Sequence, residues 1–190
     1  MSKYWESYIN SSQFDPGTLL KGIRRERAER SLSEFIQQPW PIIEPGTTYI
    51  PNWHIDLICE YLHAVRDGEI KRLVINIPPR HMKSINVTVC FPCWAWTQAP
   101  EKRFIKVSYS DSLSRKHNVL SRDIIQSPWY TENWGDIVKL KDDVNRQNEF
   151  KNTHQGMMFS TSVGGALTGE GGDIIIVDDP QNPAQANSET

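Results

Sequence analysis

Four successive β-branched residues, Ile174-Ile175-Ile176-Val177, followed at once by Asp178-Asp179-Pro180, constrain the fold of this chain more than any other segment. A short run that is apolar at every position predicts a strand covered on both faces, as in the centre of a parallel sheet. Parallel strands need crossover connections, so helices must flank them and an α/β layer architecture follows. The two carboxylates appear only at the C-terminal end of this strand, the edge at which open α/β sheets collect ligands. Paired acids are costly to bury without a cation, which makes Asp178 and Asp179 candidates for a site that holds one.

The matching cationic element lies upstream. Lys71-Arg72-Leu73-Val74-Ile75-Asn76-Ile77 predicts a strand, and Ser84 to about Trp96 predicts a helix. Between them runs Pro78-Pro79-Arg80-His81-Met82-Lys83-Ser84, giving the strand, tight turn and helix order of a phosphate-binding loop. The glycine pattern itself fails, because Ile77 and Met82 stand where its two glycines belong. As a phosphate loop, Pro79 to Ser84, with His81 and Met82 inside it, would wrap the phosphates with free N–H groups at the helix start. Lys83 would reach the β- and γ-phosphates, Arg80 would add a second positive charge, and the Ser84 hydroxyl would ligate magnesium. The prolines supply a rigid turn where no N–H is needed. A positive φ at Met82 would cost of order 1 kcal/mol, a strain that a binding site tolerates. Asp178 would hold the magnesium opposite Ser84, and Asp179 would orient or deprotonate the attacking water, a task more often given to Glu. Each element has a plainer reading, a basic βα loop and an Asp-Asp-Pro turn; their joint occurrence favours ATP hydrolysis.

With 190 residues the chain can build one sizeable core. A polar stretch, residues 1–47, precedes an α/β unit spanning 48–190. Within the first, Gly22 to Gln38 predicts an exposed, salt-bridged helix stopped by Pro39, and Gln38 to Gly46 a turn-rich connector. Trp53, Leu57, Ile58, Tyr61, Leu62 and Val65 fall at helical spacing over Pro51 to Val65. Tyr49, Trp53 and His54 are candidates for the face of an adenine, against core packing of Trp53. Arg103 to Tyr109 predicts a strand and Asp111 to Gln126 a helix capped by Ser108 or Ser110, with Ser127-Pro128 as its stop. Short antiparallel strands are expected at Asn145–Lys151 and Met157–Ser160, then a glycine-rich loop from Ser160 to Gly172, and a frayed end from Gln181. Cys59, Cys90 and Cys93 read as buried thiols rather than a redox or metal site. The net charge of −2 gives no global nucleic-acid footprint. Arg24, Arg25, Arg27, Arg30, Lys102 and Arg115 could touch phosphate backbones but are interleaved with acids. No signal peptide or membrane-length apolar run is visible, so the chain reads as cytosolic.

Taken together, Tyr49 to His54, the hydrophobic strand ending in Pro78 to Ser84, Thr161 to Gly172, and Asp173 to Pro180 resemble the amino-terminal ATPase domain of the tailed-bacteriophage terminase large subunit. The resemblance covers roughly residues 48 to 182. It implies a P-loop NTPase sheet, mostly parallel and incomplete at its C-terminus, and an ATPase that uses ATP and Mg2+. It assigns Arg80 and Lys83 to phosphate, Ser84 and Asp178 to magnesium, Asp179 to the catalytic acid position, and the segment near Tyr49 to the adenine. Such motors drive double-stranded DNA through a portal ring into a capsid, with a small terminase subunit as partner. They form oligomers on the portal in the cytoplasm of an infected or lysogenic bacterium. The family's coupling motif and nuclease domain would lie beyond Thr190, so DNA cleavage is not expected of this chain. A helicase-like translocase remains the enzyme alternative, and a silent assembly or DNA-binding remnant the non-enzymatic one.

Overall fold

The computed structural model describes residues 15–165 and 171–181. In chain order the elements are α1 (Pro16–Arg30), α2 (Leu32–Gln37), α3 (Trp40–Ile43), α4 (Trp53–Arg66), a π-helix (Ile85–Cys90) and α5 (Phe91–Trp96). There follow β1 (Arg103–Ser108), α6 (Asp111–Gln126), α7 (Pro128–Trp134), β2 (Leu140–Asn145), β3 (Glu149–Asn152), β4 (Met157–Ser162) and β5 (Ile174–Asp178). The strands form one sheet in the order β2-β3-β4-β1-β5. β1 runs parallel to both its neighbours, with Ile105 opposite Phe159 on one side and Ile175 on the other, while β2, β3 and β4 are antiparallel. The result is a mixed α/β fold with a partly parallel sheet.

β1 is buried along almost its whole length, and even its Lys106 is fully enclosed, donating to Ser121 Oγ at 2.7 Å. Loss of hydration pushes this ammonium down to about 8, against the opposing pull of Cys93 and Cys90. The expected central strand, β5, instead forms the edge of the sheet and leaves Ile175 62% and Val177 55% exposed. Its missing neighbour has a physical counterpart in residues 71–77. That segment alternates in burial, with Leu73, Ile75 and Ile77 packed toward the core and Val74 outward, yet it joins no ladder. A cavity of about 490 Å³ is lined by Leu73 and Ile75 and by all of β5, with Leu62 and Phe91 among its other walls.

The N-terminal helices differ from the solvated helix expected. Asp15 caps α1 by accepting from the Gly17 and Thr18 N–H groups, and Ser31 then breaks the helix and caps α2. The break rotates Leu32, Phe35 and Ile36 fully inward, where Phe35 meets Trp129 and Trp134 at centroid distances of 5.3 and 5.6 Å. Trp94 Nε1 donates to the Ala28 carbonyl at 2.9 Å, so the core satisfies the polar end of its largest side chain. The connector after Pro39 contains α3, and α4 divides its apolar residues: Ile55, Ile58, Cys59 and Leu62 go inward, Trp53, Leu57 and Tyr61 stay exposed.

α6 forms between the expected limits with Ser110 as its cap. Ser127-Pro128 stops it and also starts α7, since Ser127 Oγ accepts from the Tyr130 N–H. The β3–β4 hairpin turns through Asn152 to Gly156. Gly156 is required there, because a Cβ would stand 1.9 Å from the Pro100 carbonyl oxygen. β2, which sequence reading missed, lines the far edge. All three cysteines are free and buried. No helix among the described residues is long and apolar enough to cross a membrane. Residues 166–170 of the glycine-rich loop and 182–190 at the C-terminus lie outside the described residues.

Candidate functional site

The chain turns sharply after Pro78. Arg80 and Met82 both adopt left-handed backbone geometry, φ 64° and 63°, in the absence of glycine. Each costs of order 1 kcal/mol, so the surrounding structure must hold the loop in place. His81 contributes by donating from Nδ1 to the Pro79 carbonyl at 2.9 Å, and the Asn86 N–H closes onto the Met82 carbonyl at 2.9 Å. Helical geometry begins at Lys83 and continues as the π-helix, a form often found beside functional sites.

The loop delivers Lys83 to the end of β5. Its Nζ lies 3.3 Å from Asp178 Oδ1 and forms a short ion pair with Asp179 Oδ1. Burial opposes the positive charge, but the Asp179 hydrogen bond and the charges of both carboxylates outweigh it, leaving the Lys83 pKa above its ordinary value. Asp178 is only 5% exposed, whereas Asp179 sits at the surface with φ 46°. Ser108 Oγ donates to the Asp178 carbonyl at 2.7 Å, and the Tyr109 N–H donates to that of Asp179 at 3.1 Å, so β1 fixes the backbone of the pair.

Two further side chains meet Asp178 that sequence reading did not single out. Thr88 Oγ1, on the π-helix, donates to Asp178 Oδ2 at 3.2 Å, and His117 Nδ1, on α6, lies 3.7 Å from the same oxygen. Burial lowers the His117 pKa, with Asp178 pulling the other way. Thr88 follows Ser84 by one helical turn, a signal that could have marked it; nothing in the sequence around His117 marks that residue. It is the Thr88 hydroxyl that bonds Asp178, with Ser84 half-buried at the helix start.

The aromatic candidates separate. Trp53, 74% exposed, lines a cleft of about 700 Å³ with His54, Leu57, Tyr61, Pro78 and His81. The His54 and His81 rings are 5.6 Å apart, so this cleft adjoins the loop. Tyr49 does not line it. It packs edge-to-face on Trp40 at 5.5 Å, and its phenol is pushed up to about 12 by burial and by nearby groups such as Cys59 and Asp56.

Among the described residues no cluster of three or more His, Cys, Asp or Glu side chains suits a metal ion. One buried carboxylate flanked by hydroxyl-bearing residues fits the habit of Mg2+, which takes few protein ligands and shares the rest with phosphate and water. The arrangement therefore brings a strained, cationic loop, a helix start and two carboxylates to one sheet end. Comparisons of the chain with family models, with curated proteins and with solved structures return no match.

Proposed function

We propose that the chain binds ATP with Mg2+ at the end of β5 and hydrolyses it, as the P-loop motor ATPase of a phage DNA-packaging terminase. The observation that carries this reading is the meeting of Lys83 with Asp178 and Asp179, residues from two distant segments with the chemistry of phosphate and cation binding. The packaging role, with DNA, portal and small-subunit partners, rests on the sequence resemblance.

In this reading the loop from Pro79 to Ser84 wraps the phosphates, and Lys83 leaves the carboxylates for the β- and γ-phosphate oxygens. Asp178 and the Ser84 hydroxyl would hold magnesium, which would supply charge neutralisation to the phosphates when bound. Asp179, exposed at the mouth, orients a water in line with the γ-phosphorus. That water's oxygen forms the new P–O bond as the bond to the β-phosphate oxygen breaks, and its proton passes to Asp179 or solvent. Arg80 and Lys83 stabilise the charge on the transferred group. The base rests in the cleft flanked by Trp53.

Titration calorimetry with ATP and Mg2+ tests the assignment. Lys83→Ala is expected to weaken binding by tenfold or more and to abolish phosphate release measured with and without double-stranded DNA. Unchanged nucleotide affinity in that variant overturns it.

A further inference from the structure

Asp178 uses its two oxygens differently. Oδ1 faces Lys83 at 3.3 Å, while Oδ2 accepts from Thr88 at 3.2 Å and has His117 Nδ1 at 3.7 Å. That His117 nitrogen is buried and has no hydrogen-bond partner among the described residues. A buried polar nitrogen left unpaired costs about 1–3 kcal/mol, and a closure of about 0.5 Å brings it within hydrogen-bond reach of Oδ2. Thr88 reaches the same oxygen from the π-helix, whereas His117 stands on α6. Two different elements thus converge on one oxygen of one carboxylate.

We infer that Thr88 and His117 are positioning residues that hold Oδ2 of Asp178 and thereby present Oδ1 alone to the cation. The inference rests on the nucleotide–magnesium reading of the site for its consequence, though not for its geometry. A carboxylate fixed at one oxygen offers a single, directed ligand, and partners that orient a metal ligand are typically worth about 10- to 100-fold in metal affinity. Neither side chain needs to touch nucleotide or metal.

Two measurements on the full chain decide it. Calorimetry compares ATP binding with Mg2+ and with EDTA for wild type, Thr88→Val and Thr88→Ser. Thr88→Val is expected to lose about tenfold in affinity only when Mg2+ is present, and Thr88→Ser to stay within about twofold of wild type. Nitrogen-15 NMR of the histidine ring is expected to place the His117 proton on Nδ1 in wild type and to lose that signature in Asp178→Asn. Equal losses with Mg2+ and EDTA, a Ser variant that behaves as Val, or a wild-type proton on Nε2 overturns the inference. Wild type that binds no nucleotide under either condition overturns the nucleotide reading instead, and the His117 signal still decides whether the carboxylate is held.

Discussion

The ammonium of Lys83 lies 3.3 Å from Oδ1 of Asp178 and also pairs with Asp179, 96 positions away, tying the start of one helix to the end of a distant strand. The pairing makes a nearly buried carboxylate tolerable in the free protein. It also sets a condition on the proposed binding, because a phosphate would have to compete with both acids for the Lys83 ammonium.

Lys83→Ala is therefore expected to destabilise the free protein as well as to weaken binding. Breaking a fully buried pair costs about 3–5 kcal/mol, but Lys83 is a quarter exposed and Asp179 more than half, so a loss of about 1–2 kcal/mol is expected. Urea unfolding checks this. Asp178→Asn in the Lys83→Ala background should recover part of the loss, giving a coupling of about 1 kcal/mol in a double-mutant cycle.

Arg80→Gly should move stability and binding in opposite directions. Glycine relieves the left-handed strain at φ 64° while loosening the unfolded chain, for a net gain of about 0.5–1 kcal/mol. The same change removes a charge that the proposed nucleotide site would turn to phosphate, so ATP affinity is expected to fall several-fold. A variant that is both less stable and unchanged in affinity would contradict the loop geometry.

Trp53 and Tyr49 are expected to part company. Trp53→Ala should leave the unfolding midpoint nearly unchanged, because the ring is 74% exposed, yet lower ATP affinity by about 1–3 kcal/mol if it stacks on the base. Tyr49→Ala should do the reverse, since that ring packs on Trp40 beside the core. Calorimetry and thermal unfolding of both variants separate the two roles.

Stability is expected to fall as pH drops below about 6.5. His63 Nε2 accepts the Leu32 N–H at 3.1 Å, which only a neutral ring can do, and burial followed by the charge of Arg66 holds its pKa below the ordinary 6.5. The unfolded chain thus binds a proton first, and the folded state loses ground between that value and the lowered one. Because the ring is only partly buried, the slope should be a fraction of the roughly 1.4 kcal/mol per pH unit that one proton supplies. His63→Gln keeps an acceptor for Leu32 and should flatten the difference between urea midpoints at pH 7.5 and 5.5.

Local patterns made much of this fold readable. β1, α6, the β3–β4 hairpin and the sequence of β5 all carry their own periodicity, caps or turn residues, so no distant information was needed. Lys83, Asp178 and Asp179 could be paired because each stands at the end of a recognisable element. What failed depended on tertiary context. Leu32, Phe35 and Ile36 look sparse among charges until Ser31 turns them inward. Residues 71–77 and β5 both read as interior strands, and no sequence pattern says that hydrogen bonds between them are absent. Trp53 faces out because helix phase is fixed by α4 as a whole, and Tyr49, ahead of that helix, packs in against Trp40, a contact between separate segments. His117 could not be found at all, since its relation to Asp178 exists only once α6 lies across the sheet.

β5 is tethered along one side only, so the strand that ends in Asp178 and leads directly into Asp179 is held in the sheet by β1 alone. Peeling of that strand away from β1 would separate Asp178 from Lys83, Thr88 and His117 in a single step. The readiness of the site and the local opening free energy of this strand are then one quantity, legible in the exchange rates of its amide protons. Anything that clamps the outer side of β5 would tune the chemistry without touching a reacting atom.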